Sequence, residues 1–327
     1  KYREEYFMIV VKYTGGLGNQ MFQYALSISL ALHFPDEHIY ADLSRYNFSK
    51  EHEGFAVDKY FQADIELPDK KTLKKLTPIK YFIDKIPLRT LKYKLPISKL
   101  DKLEEKLRSK EIGFITDYTS TLYNHDAFNL NYEMLNTWYF KGNWINPLYW
   151  QGYEEKVIHS FRFKEELLSN EDIRIVEEMR KTESVSIHIR RGDYVGKYGF
   201  DLCDNSYYEK ALDKLFRIRG KKEMNIYIFA EEADMKVEFL QNRGEYFLIS
   251  HPEKSGIDLW MMAQCRYNII TNSTFSYWSA LLNSNKQKIV IAPLYAYRIK
   301  EIYRRLPVPE NWIQIDNLKV NQEERKC

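Results

Sequence analysis

The sequence predicts an α/β protein of two domains built on parallel sheets, and three observations lead there. At 327 residues the chain is long enough for two domains of ~150 residues each. Near the N-terminus an apolar strand, a glycine turn, an apolar helix and a second strand follow one another, which is how a parallel α/β unit opens. Between residues 184 and 293 strand and helix patterns alternate again.

The first unit starts with "MIVVKY" (Met8 to Tyr13), read as a buried strand. "TGGLGNQ" (Thr14 to Gln20) is the turn, "MFQYALSISLALHF" (Met21 to Phe34) the helix and "IYADL" (Ile39 to Leu43) the next strand. Residues 69 to 110 change character: 14 Lys plus Arg stand against five acids, a local +9 in a chain of net charge +3. Leu and Ile recur there at helical spacing, interrupted by Pro78, Pro87 and Pro96, so a basic insertion of helices and short turns is expected at about 66–112. It is either a solvated insertion or a segment that docks on an anionic membrane or a charged glycolipid.

After a crossover near 150 to 180, five strands are expected. They are "SVSIHI" (Ser184 to Ile189), "NIYIFA" (Asn225 to Ala230), "YFLIS" (Tyr246 to Ser250), "YNIIT" (Tyr267 to Thr271) and "KIVIAP" (Lys288 to Pro293). Helices are expected between them over residues 205 to 219, 233 to 243, 256 to 265 and 274 to 283.

Composition narrows the function. A net charge of +3 gives no argument for nucleic acid. Cys203, Cys265 and Cys327 are odd in number and far apart, which fits a reducing compartment better than a disulfide framework. No stretch of the sequence reads as a secretory leader or a membrane span, so a cytoplasmic protein is expected, with residues 69 to 110 as its route to peripheral contact at the inner face of a membrane. The chain has no Asp-x-Asp pair and no His or Cys cluster at ligand spacing, so no metal is expected.

Three stretches carry chemistry. "HIRRGDY" (His188 to Tyr194) places Arg190 and Arg191 where a strand ends, at the edge where open parallel sheets bind ligands, and a guanidinium there can fork onto phosphate oxygens. The same residues could instead pair to hold a domain together, or Arg191-Gly192-Asp193 could form an adhesion loop. "ITNSTFSYWSALL" (Ile270 to Leu282) sets amide and hydroxyl groups at a helix start, where they cap the helix, bind an anion, or do both. In "GGLGNQ" Gly16 and Gly18 are spaced as in a dinucleotide fingerprint, but Met21 takes the third glycine position and no P-loop Lys follows. That break disfavours a nicotinamide-dependent oxidoreductase, yet a ligand can still approach the turn closely. Trp144 and Tyr149 in "KGNWINPLYW" are candidates to stack on a sugar or to fill the core.

In this order and at these separations, "GGLGNQMFQYA", "HIRRGDY" and "DLWMMAQCRYNIITNSTFSYWSALL" closely resemble the α-1,2-fucosyltransferase family over roughly residues 8 to 295. The resemblance implies a glycosyltransferase of the B type, two Rossmann-like domains facing a central cleft. Residues 1–175 would form the acceptor-side domain and 176–327 the nucleotide-sugar domain. It implies inverting transfer of L-fucose from GDP-fucose to the 2-hydroxyl of a galactoside, with no cofactor and no metal. The acceptor would be a galactose-containing oligosaccharide or lipid-linked glycan in surface glycan synthesis; another linkage is the alternative. By similarity, Arg190 contacts the β-phosphate, His188 and Asp258 face the guanosine, and Ser273 and Thr274 donate to the diphosphate. Asn272 and Phe275 are counted with this donor set. Asn19, beside Gly16 and Gly18, approaches the sugar or the β-phosphate, while Arg191 and Asp193 shape the arginine loop. Asp193 is counted as catalytic with Arg190 and Asn19, although the identity of a base stays open. The sequence departs from the family at Phe200-Asp201-Leu202, where relatives carry a longer loop, so acceptor contacts at Asp201 are the least defined.

Overall fold

The computed structural model describes residues 7–47, 52–79, 97–108, 110–117, 121–131, 135–190, 200, 202–221, 223–230, 237–240, 243–300 and 302–318. The chain divides into two compact units, residues 1–162 and 163–327.

The first unit runs through β1 (Met8–Lys12), α1 (Leu17–His33), β2 (His38–Asp42), α2 (Val57–Tyr60), α3 (Lys70–Leu76), α4 (Ile97–Arg108), β3 (Gly113–Asp117), β4 (Thr137–Gly142) and α5 (Glu154–His159). Among the described residues its sheet is parallel throughout, in the order β2-β1-β4-β3. Strand β1 is central, covered on both faces, and so reads as an unbroken apolar run with Ile9, Val10 and Val11 buried. Helix α1 begins at Leu17, ahead of the expected Met21, because Gly16 takes the extended N-cap conformation (φ −79°, ψ 178°). Gly18, Asn19 and Gln20 therefore sit in its first turn, not in a loop.

Helices α3 and α4 fall within the stretch 66–112; its residues 80–96 and 109 lie outside the described residues. Asp69 caps α3 by accepting the Thr72 N–H, and Leu76 and Ile112 join Val10 and Tyr139 on one sheet face. Both ends of the insertion are thus packed.

The second unit contains α6 (Asn170–Lys181), β5 (Ser184–Ile189), α7 (Asn205–Arg219), β6 (Asn225–Ala230), β7 (Tyr246–Ile249), α8 (Ser255–Met262), β8 (Tyr267–Ile269), α9 (Thr274–Leu282), β9 (Val290–Pro293), β10 (Tyr295–Ile299), β11 (Ile302–Arg305) and β12 (Ile313–Ile315). Strands β10 and β11 form an antiparallel hairpin. The other six make a parallel sheet in the order β12-β9-β8-β5-β6-β7 among the described residues. All five expected strands are present, and β12 adds a sixth. The helix expected over 233 to 243 lies partly outside the described residues; its described portion is a single turn at Glu238–Leu240.

Alternation along the strands divides two cores. Val185, Ile187, Ile189, Ile226 and Ile228 face α7, while Tyr227 and Phe229 face α6 and α8. Val176 and Met179 of α6 belong to this second core. That packing is why the chain divides near 162, earlier than the expected 175. No described helix is long and apolar enough to cross a membrane.

Strand order fixes where a ligand would bind. From β5 the chain moves through β6 to β7, then returns past β5 to β8, β9 and β12. The direction of winding reverses between β5 and β8, and the carboxyl ends of the strands at such a reversal are where open parallel sheets bind ligands.

Candidate active site

Both cationic and hydroxyl-bearing stretches meet at this reversal. Strand β5 ends in His188 and Ile189, the half-buried Arg190 follows it, and β8 leads into Thr271 to Thr274 at the start of α9. Pairing of Ile187 with Ile269 brings His188 beside Thr271, with Nδ1 and Oγ1 3.3 Å apart. Burial, aided by the charge of Arg190, pushes the His188 pKa down to about 3. The ring is neutral at physiological pH, so it can orient a polar ligand while Arg190 supplies positive charge.

Hydroxyls knit the tip of α9. Ser273 Oγ accepts the Phe275 N–H at 3.3 Å, and Thr271 Oγ1 accepts the Ser273 N–H at 3.1 Å. Ser276 Oγ accepts the Thr271 N–H and donates to the Ser273 carbonyl, each at 3.3 Å. Thr274 opens the helix, and the Phe275 ring lies 5.4 Å from that of His188. The positive end of the helix dipole is directed at this edge of the sheet. His188, Arg190, Ser273, Thr274 and Phe275 are therefore brought to one edge.

Two donor candidates are engaged by the protein itself. Asn272, only 8% exposed, donates its amide to the Phe200 carbonyl at 2.9 Å and the Ala296 carbonyl at 2.7 Å. Its Oδ1 lies 3.7 Å from Cys203 Sγ. Both amide hydrogens hold backbone carbonyls, so the Asn272 side chain acts as a clamp between them. Asp258 stands in the first turn of α8, its Oδ1 2.6 Å from His251 Nδ1 and its Oδ2 accepting the His251 backbone N–H at 3.2 Å. It keeps 14% of its side chain exposed at the same sheet edge, beyond the end of β7.

Sequence reading missed Tyr207 and Tyr208. Tyr207 donates its hydroxyl to the Ile270 carbonyl at 2.5 Å and Tyr208 donates to the His188 carbonyl at 3.2 Å. Adjacent tyrosines on α7 thereby tie the ends of β8 and β5. Their only sequence signal was a polar-tipped aromatic pair opening an amphipathic helix.

In the first unit the glycine turn follows β1. Gly15 has φ +77°, and a Cβ there would stand 2.6 Å from Asn19 Nδ2, so the missing side chain makes room for Asn19. Gln20, also missed as a structural residue, donates to the Gly15 and Gly54 carbonyls at 3.0 and 2.8 Å and accepts the Ala56 N–H at 2.8 Å. Gln23 accepts the Thr14 N–H at 2.9 Å and donates to the Gly142 carbonyl at 3.0 Å. Gly16, Gly18 and Asn19 are thus held in one fixed turn.

Trp144 and Tyr149 are corrected. They are 0% and 1% exposed, packed edge to face at 5.2 Å, and the Tyr149 hydroxyl accepts the Asn124 N–H at 2.9 Å. Rings enclosed in the core cannot stack on a ligand. Arg191, Asp193 and Asp201 lie outside the described residues. Among the described residues no group of three or more His, Cys, Asp or Glu could hold a metal ion.

An Escherichia coli α-1,2-colitosyltransferase is 28% identical over 319 residues, covering 94% of this chain and 99% of that protein. The E. coli O-antigen biosynthesis glycosyltransferase WbnK is 26% identical, covering 86% and 92%. Among solved structures, a mutant of Arabidopsis thaliana FUT1 in complex with GDP matches with a TM-score of 0.49 at 12% identity, covering 93% of this chain and 75% of that one. The profile of glycosyl transferase family 11 matches residues 8–315, and the chain belongs to that family.

Proposed function

We propose that this glycosyltransferase, of the B type, transfers L-fucose from GDP-fucose to the 2-hydroxyl of a galactoside with inversion. The observation that carries the reading is that Arg190 follows β5 while the hydroxyl-lined tip of α9 follows β8, its neighbour across the winding reversal of the second sheet. Arg190 takes the β-phosphate, Ser273 and Thr274 the diphosphate, and His188 and Asp258 the guanosine end. Asn19 meets the transferred sugar.

As the bond from sugar to diphosphate breaks, negative charge builds on the departing oxygen. A fixed guanidinium and a helix tip stabilise that charge more in the transition state than in the ground state, which accelerates the reaction. The acceptor hydroxyl attacks from the opposite face and gives up its proton to a phosphate oxygen or to water, so β-linked GDP-fucose gives an α-linked product and GDP departs. Neutralisation by arginine and helix dipole leaves no step that calls for a metal. The acceptor we propose is a galactose-containing or lipid-linked glycan, with the basic segment 69–110 resting on an anionic membrane.

The similarity to an α-1,2-colitosyltransferase over 94% of the chain favours a second donor reading, GDP-colitose in place of GDP-fucose. Incubation with both sugar nucleotides and a panel of galactosides, with product linkage read by NMR, decides between them. Arg190→Lys is expected to lose most turnover, because a point charge cannot replace the planar fork. Near-normal turnover in that variant, or no binding of GDP by calorimetry, overturns the proposal.

A further inference from the structure

His251 follows β7 and lies between two carboxylates. Its Nδ1 is 2.6 Å from Asp258 Oδ1, and its Nε2 is 3.0 Å from Asp172 Oδ1. Asp172 is fixed in turn, accepting the Ser169 N–H and hydroxyl, each at 2.8 Å, in the capping box that starts α6. A carboxylate oxygen at each ring nitrogen favours a hydrogen on both, the imidazolium form. Its hydrogen bond to Asp258 is the main force raising its pKa, against the opposing effect of burial. The result is a chain from α6 through His251 that holds both Asp258 oxygens, Oδ1 by the ring and Oδ2 by the backbone N–H, and leaves each oxygen a second lone pair.

That hold matters because of where Asp258 stands. The sheet places β7, whose end leads on to His251 and Asp258, two strands from β5, about 10 Å from strand to strand. This is the reach of a nucleoside from phosphates held at the reversal to the edge of its base. Guanine offers N1–H and the 2-amino group side by side, and an ionised carboxylate is an acceptor-only partner for both. Adenine presents a lone pair there instead, and a site built to receive hydrogens rejects a partner that lacks them.

We propose that His251, anchored by Asp172, is the positioning residue that aims Asp258 at the nucleotide base and so sets the preference for a guanine over an adenine nucleotide. The inference rests on the reading of this edge as a GDP site.

Calorimetric titration of the full chain with GDP and with ADP tests it. His251→Ala is expected to weaken GDP binding about tenfold or more, the scale of a charge-assisted hydrogen bond, and to leave ADP binding where it was. His251→Asn puts an amide nitrogen near the Nδ1 position and is expected to recover most of the preference for GDP, with kcat close to that of the parent chain and the change confined to KM. A lower Tm in His251→Ala with an unchanged ratio of GDP to ADP affinity overturns the proposal, because the residue is then structural alone. Equal recovery by Asn and Ala overturns it as well. A parent chain that binds neither nucleotide brings down the GDP reading itself, and this inference with it.

Discussion

Replacing Asn272 by Ala distinguishes a clamp from a ligand contact. The side chain donates to two carbonyls, those of Phe200 and Ala296, and is 8% exposed. Alanine leaves both carbonyls without that donor. At ~1 kcal/mol for each hydrogen bond lost, the cost is about 2 kcal/mol. In a unit of this size such a loss lowers Tm by about 4–8 °C. Differential scanning calorimetry should therefore show the second unit melting earlier, and a saturating dose of GDP should restore part of the loss by mass action. GDP affinity should fall less than it does in Arg190→Lys. An unchanged Tm with abolished GDP binding would refute the clamp and return Asn272 to the donor set.

Gly15→Ala forces a left-handed residue, costing about 1–2 kcal/mol, and drives the Asn19 amide from its place. Activity is expected to fall about tenfold to a hundredfold, more than stability explains, as steady-state rates beside a melting curve will show. For His251, whose pKa is raised in the folded state, the stabilisation is complete below the unfolded value of ~6.5 and fades as pH rises through the raised value. Asp172, held low because its Ser169 and His251 bonds outweigh burial, gives stability above ~3.8 that is lost as pH falls through its lowered value. Melting curves across pH should show the alkaline loss in the parent chain and a smaller one in His251→Asn. Activity is expected to survive dialysis against a chelator; complete loss restored by a divalent cation would contradict the metal-free reading.

Much of the second unit was legible because buried parallel strands are continuous apolar runs, and "SVSIHI" and "NIYIFA" match β5 and β6 residue for residue. Strand β12 escaped because "IQI" is too short to show a period. The start of α1 was misplaced because glycines at a helix entrance look like a turn, although Gly16 caps and Gly18 is helical. Arg190 could be placed at a strand end from pattern alone. The roles of Asn272, Gln20 and Tyr208 could not, since a sequence shows that a donor exists but not which carbonyl receives it. Trp144 and Tyr149 failed for a related reason: an aromatic platform and an aromatic core use the same side chains, and only burial tells them apart.

The glutamine-braced glycine turn carries a further consequence. Gln20 and Gln23 satisfy its backbone groups from inside the fold, so its shape is set before any ligand arrives. Docking then freezes little additional motion, and affinity depends on the groups that face the guest. Selection can exchange those facing groups, and with them the preferred guest, while the scaffold beneath stays as it is.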